Sequence, residues 1–271
     1  MLFPDAVYYL SPVFVTVVGL CLGSFYNVCI ARYLSGESIV FPGSKCPVCG
    51  HRLRWWENIP LLSFLLLRGR CRGCQGKIHW RYPVVEALNG LWAFLLIQKL
   101  PLLPGAEMEW LALWSGYMLI GGILIIVSFI DLELYILPDV YVYPGILLTL
   151  AFAFFVVDPF YGIPTFEDAL YGAGIGAGLF FALQRLYRLL KGQEGLGTGD
   201  IKLMLMLGAL VGWRGLPMMI LASAFSALLA SAIYMRRQKQ GMQTMVPFGP
   251  FLSLGAMVYV VAGELYWELM R

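Results

Sequence analysis

The stretch WSGYMLIGGILIIVSFIDLELYILPD, residues 114–139, decides the fold. From Trp114 to Ile130 it carries no charge, and Asp131 then ends the run. Such an uninterrupted apolar segment reads as a helix in hydrocarbon, where the backbone must satisfy its own hydrogen bonds. A carboxylate at the edge of a membrane segment is costly and tends to be kept for function. A second aspartate has the same setting. Asp200 closes Gly197-Thr-Gly-Asp and leads into the mostly apolar run Ile201–Trp213.

The rest of the chain fits that frame. It has 271 residues, 60% hydrophobic and only 13% charged, with a mean hydropathy of +0.76. A soluble domain is nearer half apolar and a quarter charged. The first apolar run, Val7–Ile30, has no basic residue before it and no small-residue cleavage site, so it reads as a permanent span. Eight candidate spans follow from length and hydropathy: about 7–29, 83–99, 111–130, 137–157, 168–189, 201–213, 216–235 and 247–268. The expected fold is an all-α polytopic membrane protein with about eight transmembrane helices. The expected divisions are a first transmembrane helix (1–29), a small cytoplasmic zinc-ribbon-like domain (30–82) and a transmembrane core (83–271). The sixth candidate is too short to cross a core of ~30 Å at ~1.5 Å per residue. Either it is a partial span or its helix starts before residue 201. Gly172/Gly176 and Gly174/Gly178 form two small-xxx-small pairs suited to close helix packing.

Charge gives the orientation. Nine of the nineteen Lys and Arg lie between residues 30 and 82. A basic block can signal nucleic-acid binding, but between two spans the positive-inside bias explains it, and no nucleic-acid partner is expected. With the N-terminus outside, sixteen basic residues fall inside and only Lys99, Arg214 and Arg271 outside. That arrangement brings Asp131 and Asp200 to the same, cytoplasmic, face.

Cys46-Pro-Val-Cys49 and Cys71-Arg-Gly-Cys74 form two C-x-x-C pairs at a spacing close to that of four-thiolate zinc sites. Zinc bound by Cys46, Cys49, Cys71 and Cys74 would supply folding energy that so small a domain lacks. The competing reading is a thiol–disulfide carrier, disfavoured in a reducing compartment. His51 and His79 flank the tetrad as expected bystanders. Cys21 and Cys29, in the first span, are assigned no role. Glu37 and Glu57 are expected to pair with Arg or Lys. The acidic residues near the outer span ends, Asp168 among them, read as a solvated rim.

Asp200 could simply cap a helix. Paired with Asp131 it can do more. Two carboxylates that share a site can hydrolyse an amide without a metal, one ionised and activating water, the other protonated and donating to the carbonyl oxygen. Asp131 lies at a helix C-terminus and Asp200 at a helix N-terminus, so the helix dipoles predict Asp200 as base and Asp131 as acid.

These motifs together resemble the prepilin peptidase (type 4 prepilin leader peptidase) family. Gly23-Ser-Phe-Tyr-Asn-Val28 resembles its first-span signature. Ser44–Leu53, Trp56–Ser63, Cys71–Cys74 and Arg81–Glu86 resemble its cytoplasmic domain. Asp131 through Leu137-Pro-Asp139 and Gly197-Thr-Gly-Asp-Ile-Lys202 resemble its two catalytic motifs, and Val246–Phe251 its last-span motif. Leu137 departs from the commoner isoleucine, and Thr198 is a variable position. The resemblance implies a GxGD-type membrane aspartic peptidase of the bacterial inner membrane, with Asp131 and Asp200 as the catalytic pair. Its expected substrates are type IV prepilins or type II secretion pseudopilins, cut after a glycine at the cytoplasmic face. It further implies N-methylation of the new terminus with S-adenosylmethionine, although no glycine-rich loop after a strand marks a site for that cofactor. A zinc-binding assembly factor or transporter without peptidase activity is the alternative.

Overall fold

A computed structural model describes residues 3–41, 43–100, 107–156, 164–192, 195–238 and 247–269. Residues 101–106 and 157–163, between expected spans, together with Glu194, Lys239 and Val246, lie outside the described residues. The elements are α1 (Phe3–Ser35), a 3-10 turn (Trp55–Asn58), α2 (Leu62–Leu66), α3 (Arg81–Lys99), α4 (Glu107–Leu134), α5 (Asp139–Phe155), α6 (Phe166–Lys191), α7 (Thr198–Gln238) and α8 (Gly249–Leu269). Among the described residues there is no strand, only two isolated antiparallel bridges. The chain is all-helical, as expected. Five helices, α1 from Ser11, α4, α6, α7 up to Ala232 and α8, are long and apolar enough to cross a membrane. The apolar helix α5 is shorter.

The chain divides into two compact units, Met1–Ile126 and Val127–Arg271. In the first, α1 lies along α3 where small residues let the backbones approach. A Cβ on Gly23 would fall 2.8 Å from the Glu86 Cα, and one on Gly90 would fall 2.6 Å from a Leu20 methyl. Asn89, fully buried, donates its amide to the Gly19 carbonyl at 2.6 Å. Such a bond matters where no water can substitute. The start of α4 joins them through Trp92, whose indole N–H donates to the Tyr117 carbonyl at 3.0 Å and whose ring rests on Gly121.

In the second unit, α6 packs on α7. Gly172 and Gly208 face each other so closely that a Cβ on either would collide with the other's carbonyl oxygen. Gly176 explains the long α7. A Cβ there would lie 3.3 Å from the Met204 carbonyl and 3.3 Å from a Leu216 methyl. In a continuous helix those two residues would be ~18 Å apart. The chain therefore folds back between them, at Gly212, whose φ of 67° and ψ of 170° only glycine adopts readily. The sixth and seventh candidate segments are the two arms of this hairpin, and the sixth starts at Thr198, before residue 201. Its arm, residues 198–211, is about 21 Å long at 1.5 Å per residue. At the tip, the Trp213 indole donates to Asp168 at 2.8 Å, and Thr165 caps α6 through the Asp168 N–H. Asp168, expected to be a solvated rim residue, thus anchors the hairpin. The second arm packs on α8, with Gly255 against the Met219 carbonyl at 2.5 Å from its would-be Cβ. Of the two small-residue pairs only Gly172/Gly176 meets a neighbour. Gly174 and Gly178 have nothing described within 4 Å of a would-be Cβ.

Candidate active site and metal centre

Asp131 sits in the last turn of α4, which runs to Leu134. Tyr135, at φ 57°, caps it by donating its N–H to the Asp131 carbonyl at 2.9 Å. Pro138 then forbids helical continuation and precedes α5. Asp131 is buried, 5% exposed. Its Oδ2 accepts the backbone N–H of Gly249, the first residue of α8, at 3.1 Å. A group that buried needs such a partner.

Asp200 lies in the first turn of α7. It is not the N-cap; its carboxylate reaches back and accepts the Gly197 N–H at 3.2 Å. One free helix-end donor is satisfied in this way. The two carboxylates are within electrostatic reach of one another. Leu137 fills the space between their frames, touching would-be Cβ positions on Gly199 at 3.0 Å and on Gly249 at 2.9 Å. The three expected motifs therefore converge: LPD through Leu137, GTGD through Gly199, and PFGPF through Gly249.

Two further contacts hold this arrangement. Lys202 donates to both carboxylate oxygens of Asp139, at 2.8 and 3.0 Å, tying the start of α7 to the start of α5. The buried Gln184 of α6 donates its amide to the Leu196 carbonyl at 2.8 Å and pins the loop ahead of Asp200. Sequence reading passed over Gln184; a lone amide in the polar tail of a helix gives no periodic or motif signal.

The structure also amends the expected division of roles. Asp131 is at the C-terminal end of α4, but its carboxylate meets the N-terminus of α8. The two dipoles act on it in opposite senses, so helix ends alone no longer separate acid from base.

In the first unit, the sulfur atoms of Cys46, Cys49, Cys71 and Cys74 lie within 4.8 Å of one another. Cys46 and Cys74 are 4.0 Å apart, Cys49 and Cys71 3.9 Å. A tetrahedron of thiolates at ~2.3 Å from zinc has edges of about 3.8 Å, so the donor set fits that ion. Each knuckle is closed by one bridge, Lys45 with Arg52 and Arg70 with Lys77. The backbone N–H groups of Cys74 and Gly73 hold the Cys71 thiol below its ordinary value, while burial and the neighbouring thiols push the Cys49 thiol up. His51 and His79 stay outside the tetrad. His51 meets Glu57 at 3.2 Å, and His79 packs on Trp80. Glu37 pairs with Arg32 and Lys45 as expected. Glu57 accepts the Arg54 N–H at 2.8 Å, which with His51 and the charge of Arg72 holds its carboxyl below the usual value.

Residues 17–100 match the family model described as the Bacterial Peptidase A24 N-terminal domain, and residues 118–232 match that of the Type IV leader peptidase family. The first match contains all four clustered cysteines and the second both aspartates. A prepilin leader peptidase/N-methyltransferase of Myxococcus xanthus is 40% identical over 236 residues, covering 87% of this chain and 67% of its own. One of Dickeya chrysanthemi is 37% identical over 90% of each chain, and one of Stutzerimonas stutzeri 35% identical over 92% of this chain and 89% of its own. No solved structure was found to match. With these relatives aligned along most of its length, the chain belongs to the type IV leader peptidase family.

Proposed function

We propose that this protein is an inner-membrane prepilin leader peptidase and N-methyltransferase, with Asp131 and Asp200 as its catalytic pair. The observation that carries the peptidase reading is the convergence of two carboxylates, each holding a backbone N–H, around Leu137. In this reading one carboxylate takes a proton from water as the water attacks the scissile carbonyl. The other donates a proton to the carbonyl oxygen, and proton return to the leaving nitrogen completes cleavage. The N–H groups of Gly249 and Gly197 orient the pair. The Asp139–Lys202 ion pair and Gln184 keep the two motifs in register.

The substrate is a type IV prepilin or a type II secretion pseudopilin, cut after a glycine. Eight crossings are reached by counting α3, α5 and both arms of α7. The charge distribution supports an outside N-terminus and a cytoplasmic site. A first arm of α7 of about 21 Å, shorter than a hydrocarbon core of ~30 Å, supports a site that meets the cytoplasmic end of a hydrophobic substrate helix. Zinc, held by Cys46, Cys49, Cys71 and Cys74, has a structural role, and S-adenosylmethionine is the methyl donor. Incubating the purified, lipid-reconstituted protein with a prepilin and labelled S-adenosylmethionine tests both activities. Leader release and label on the new N-terminus support the reading. An intact prepilin speaks for the non-catalytic assembly-factor alternative.

A further inference from the structure

A cavity of about 430 Å³ lies within the first unit, between the four-cysteine domain and the facing ends of α1 and α3. That volume is within the range of small-molecule sites. Val28, Phe64 and Ile78 give it an apolar wall. Two of its polar residues are peculiar. Asn27 is 2% exposed; its amide donates to the Tyr82 carbonyl at 2.9 Å, but its Oδ1 has no partner. Glu57 is 5% exposed; one carboxylate oxygen is taken by the Arg54 N–H and His51, while Oε1 has no partner. A buried acceptor without a donor costs about 1–3 kcal/mol, more when charged. Both orphaned atoms are acceptors, so the missing partner is a donor; the Arg72 charge acts on the Glu57 carboxylate without bonding to Oε1, and an ammonium can donate to both atoms. Arg72, stacked over the Trp56 ring at 4.8 Å, also borders the cavity and offers a guanidinium to an anion.

We propose that this cavity is the S-adenosylmethionine site, with Asn27 Oδ1 and Glu57 Oε1 receiving the ammonium of its amino-acid end and Arg72 its carboxylate. The apolar wall then takes the flat base. Ligand chemistry of three kinds, cation, anion and aromatic ring, matches three kinds of lining. This rests on the methyltransferase half of the proposed function and assigns residues to it.

The test is equilibrium dialysis of labelled S-adenosylmethionine against the full-length, zinc-loaded protein. Asn27→Leu and Glu57→Gln are each expected to weaken binding at least tenfold. Glu57→Asp, which keeps a charged acceptor, should bind more tightly than Glu57→Gln. Bound zinc and melting temperature report whether each variant has folded; if Asn27→Leu does not fold, the Glu57→Gln and Glu57→Asp pair decides. Unchanged binding in folded Asn27→Leu and Glu57→Gln overturns the proposal. So does unchanged binding with a raised KM for the pilin, because the acceptors would then serve the peptide amine. A wild-type protein that neither binds nor transfers the label contradicts the methyltransferase reading itself, a different failure.

Discussion

Gly249→Ala puts the smallest possible addition at the most sensitive point of the proposed active site. The new Cβ would stand 2.7 Å from Asp131 Oδ2 and 2.9 Å from a Leu137 methyl. Comfortable contact needs roughly 3.3 Å to oxygen and about 3.7 Å to carbon. Asp131 must therefore withdraw by about 0.6 Å and Leu137 by about 0.8 Å if α8 stays in place. The Gly249 N–H to Asp131 bond, now 3.1 Å, is then stretched beyond the ~3.5 Å at which it counts as a hydrogen bond. Losing a bond to a charged group costs about 1.5–3 kcal/mol, which is about 10- to 100-fold in rate. A misplacement approaching ~1 Å has a similar consequence. Leader cleavage under saturating prepilin should show kcat reduced about 10- to 100-fold, with KM changed less. Gly178→Ala is the matched control. With nothing described within 4 Å of its Cβ, it should cleave at the wild-type rate and be slightly more stable, as Ala in a helix outranks Gly by up to about 1 kcal/mol. A folded Gly249→Ala enzyme within about threefold of wild type would refute the reasoning.

Three other outcomes follow from the structure. Elemental analysis should find about one zinc per chain, absent in Cys46→Ser and Cys71→Ser, with a lower melting temperature on chelation; a metal-free wild type whose cysteines cycle as disulfides would contradict this. Gly212→Ala should lower stability by about 1–3 kcal/mol, since it forces an L side chain to φ 67° at the α7 hairpin, and thermal unfolding reads it directly. The Lys45 ammonium, with Arg32 behind it, holds the Glu37 carboxyl below its ordinary 4.5, opposed by burial. Its contribution is present above that ordinary value and lost as pH falls through the lowered one, so the melting difference between wild type and Glu37→Gln should shrink below pH ~4.5. A pH-independent difference would tell against that ion pair.

Much of the site was legible because membrane chains spend charge sparingly. Asp131 and Asp200 stood out against apolar runs, and the cysteines announced themselves by spacing. What sequence could not supply were contacts made by backbone. The Gly249 N–H that meets Asp131 comes from far along the chain and carries no side chain to advertise it. That contact also undercut the expected acid–base split, which had weighed only the helices carrying the aspartates. Leu137 read as a minor departure from a motif, yet it is the wedge between Gly199 and Gly249. The α7 hairpin appeared in the sequence only as a gap between two apolar runs, because a reversal at one glycine needs no polar loop. Glycine spacing in α6 named two candidate pairs, and which of them faces α7 depends on a helix rotation that spacing does not fix.

The central claim is that Asp131 and Asp200 together hydrolyse a leader peptide. Its most direct test is the single-turnover cleavage rate of a prepilin by Asp131→Asn and Asp200→Asn, each checked for wild-type zinc content and melting. Asparagine keeps the shape but can neither take nor give the catalytic proton. Each change should reduce the rate by at least about 100-fold, and the double variant should be scarcely worse than either single one, as expected of residues acting as a unit. Wild-type cleavage by either folded variant would contradict the account.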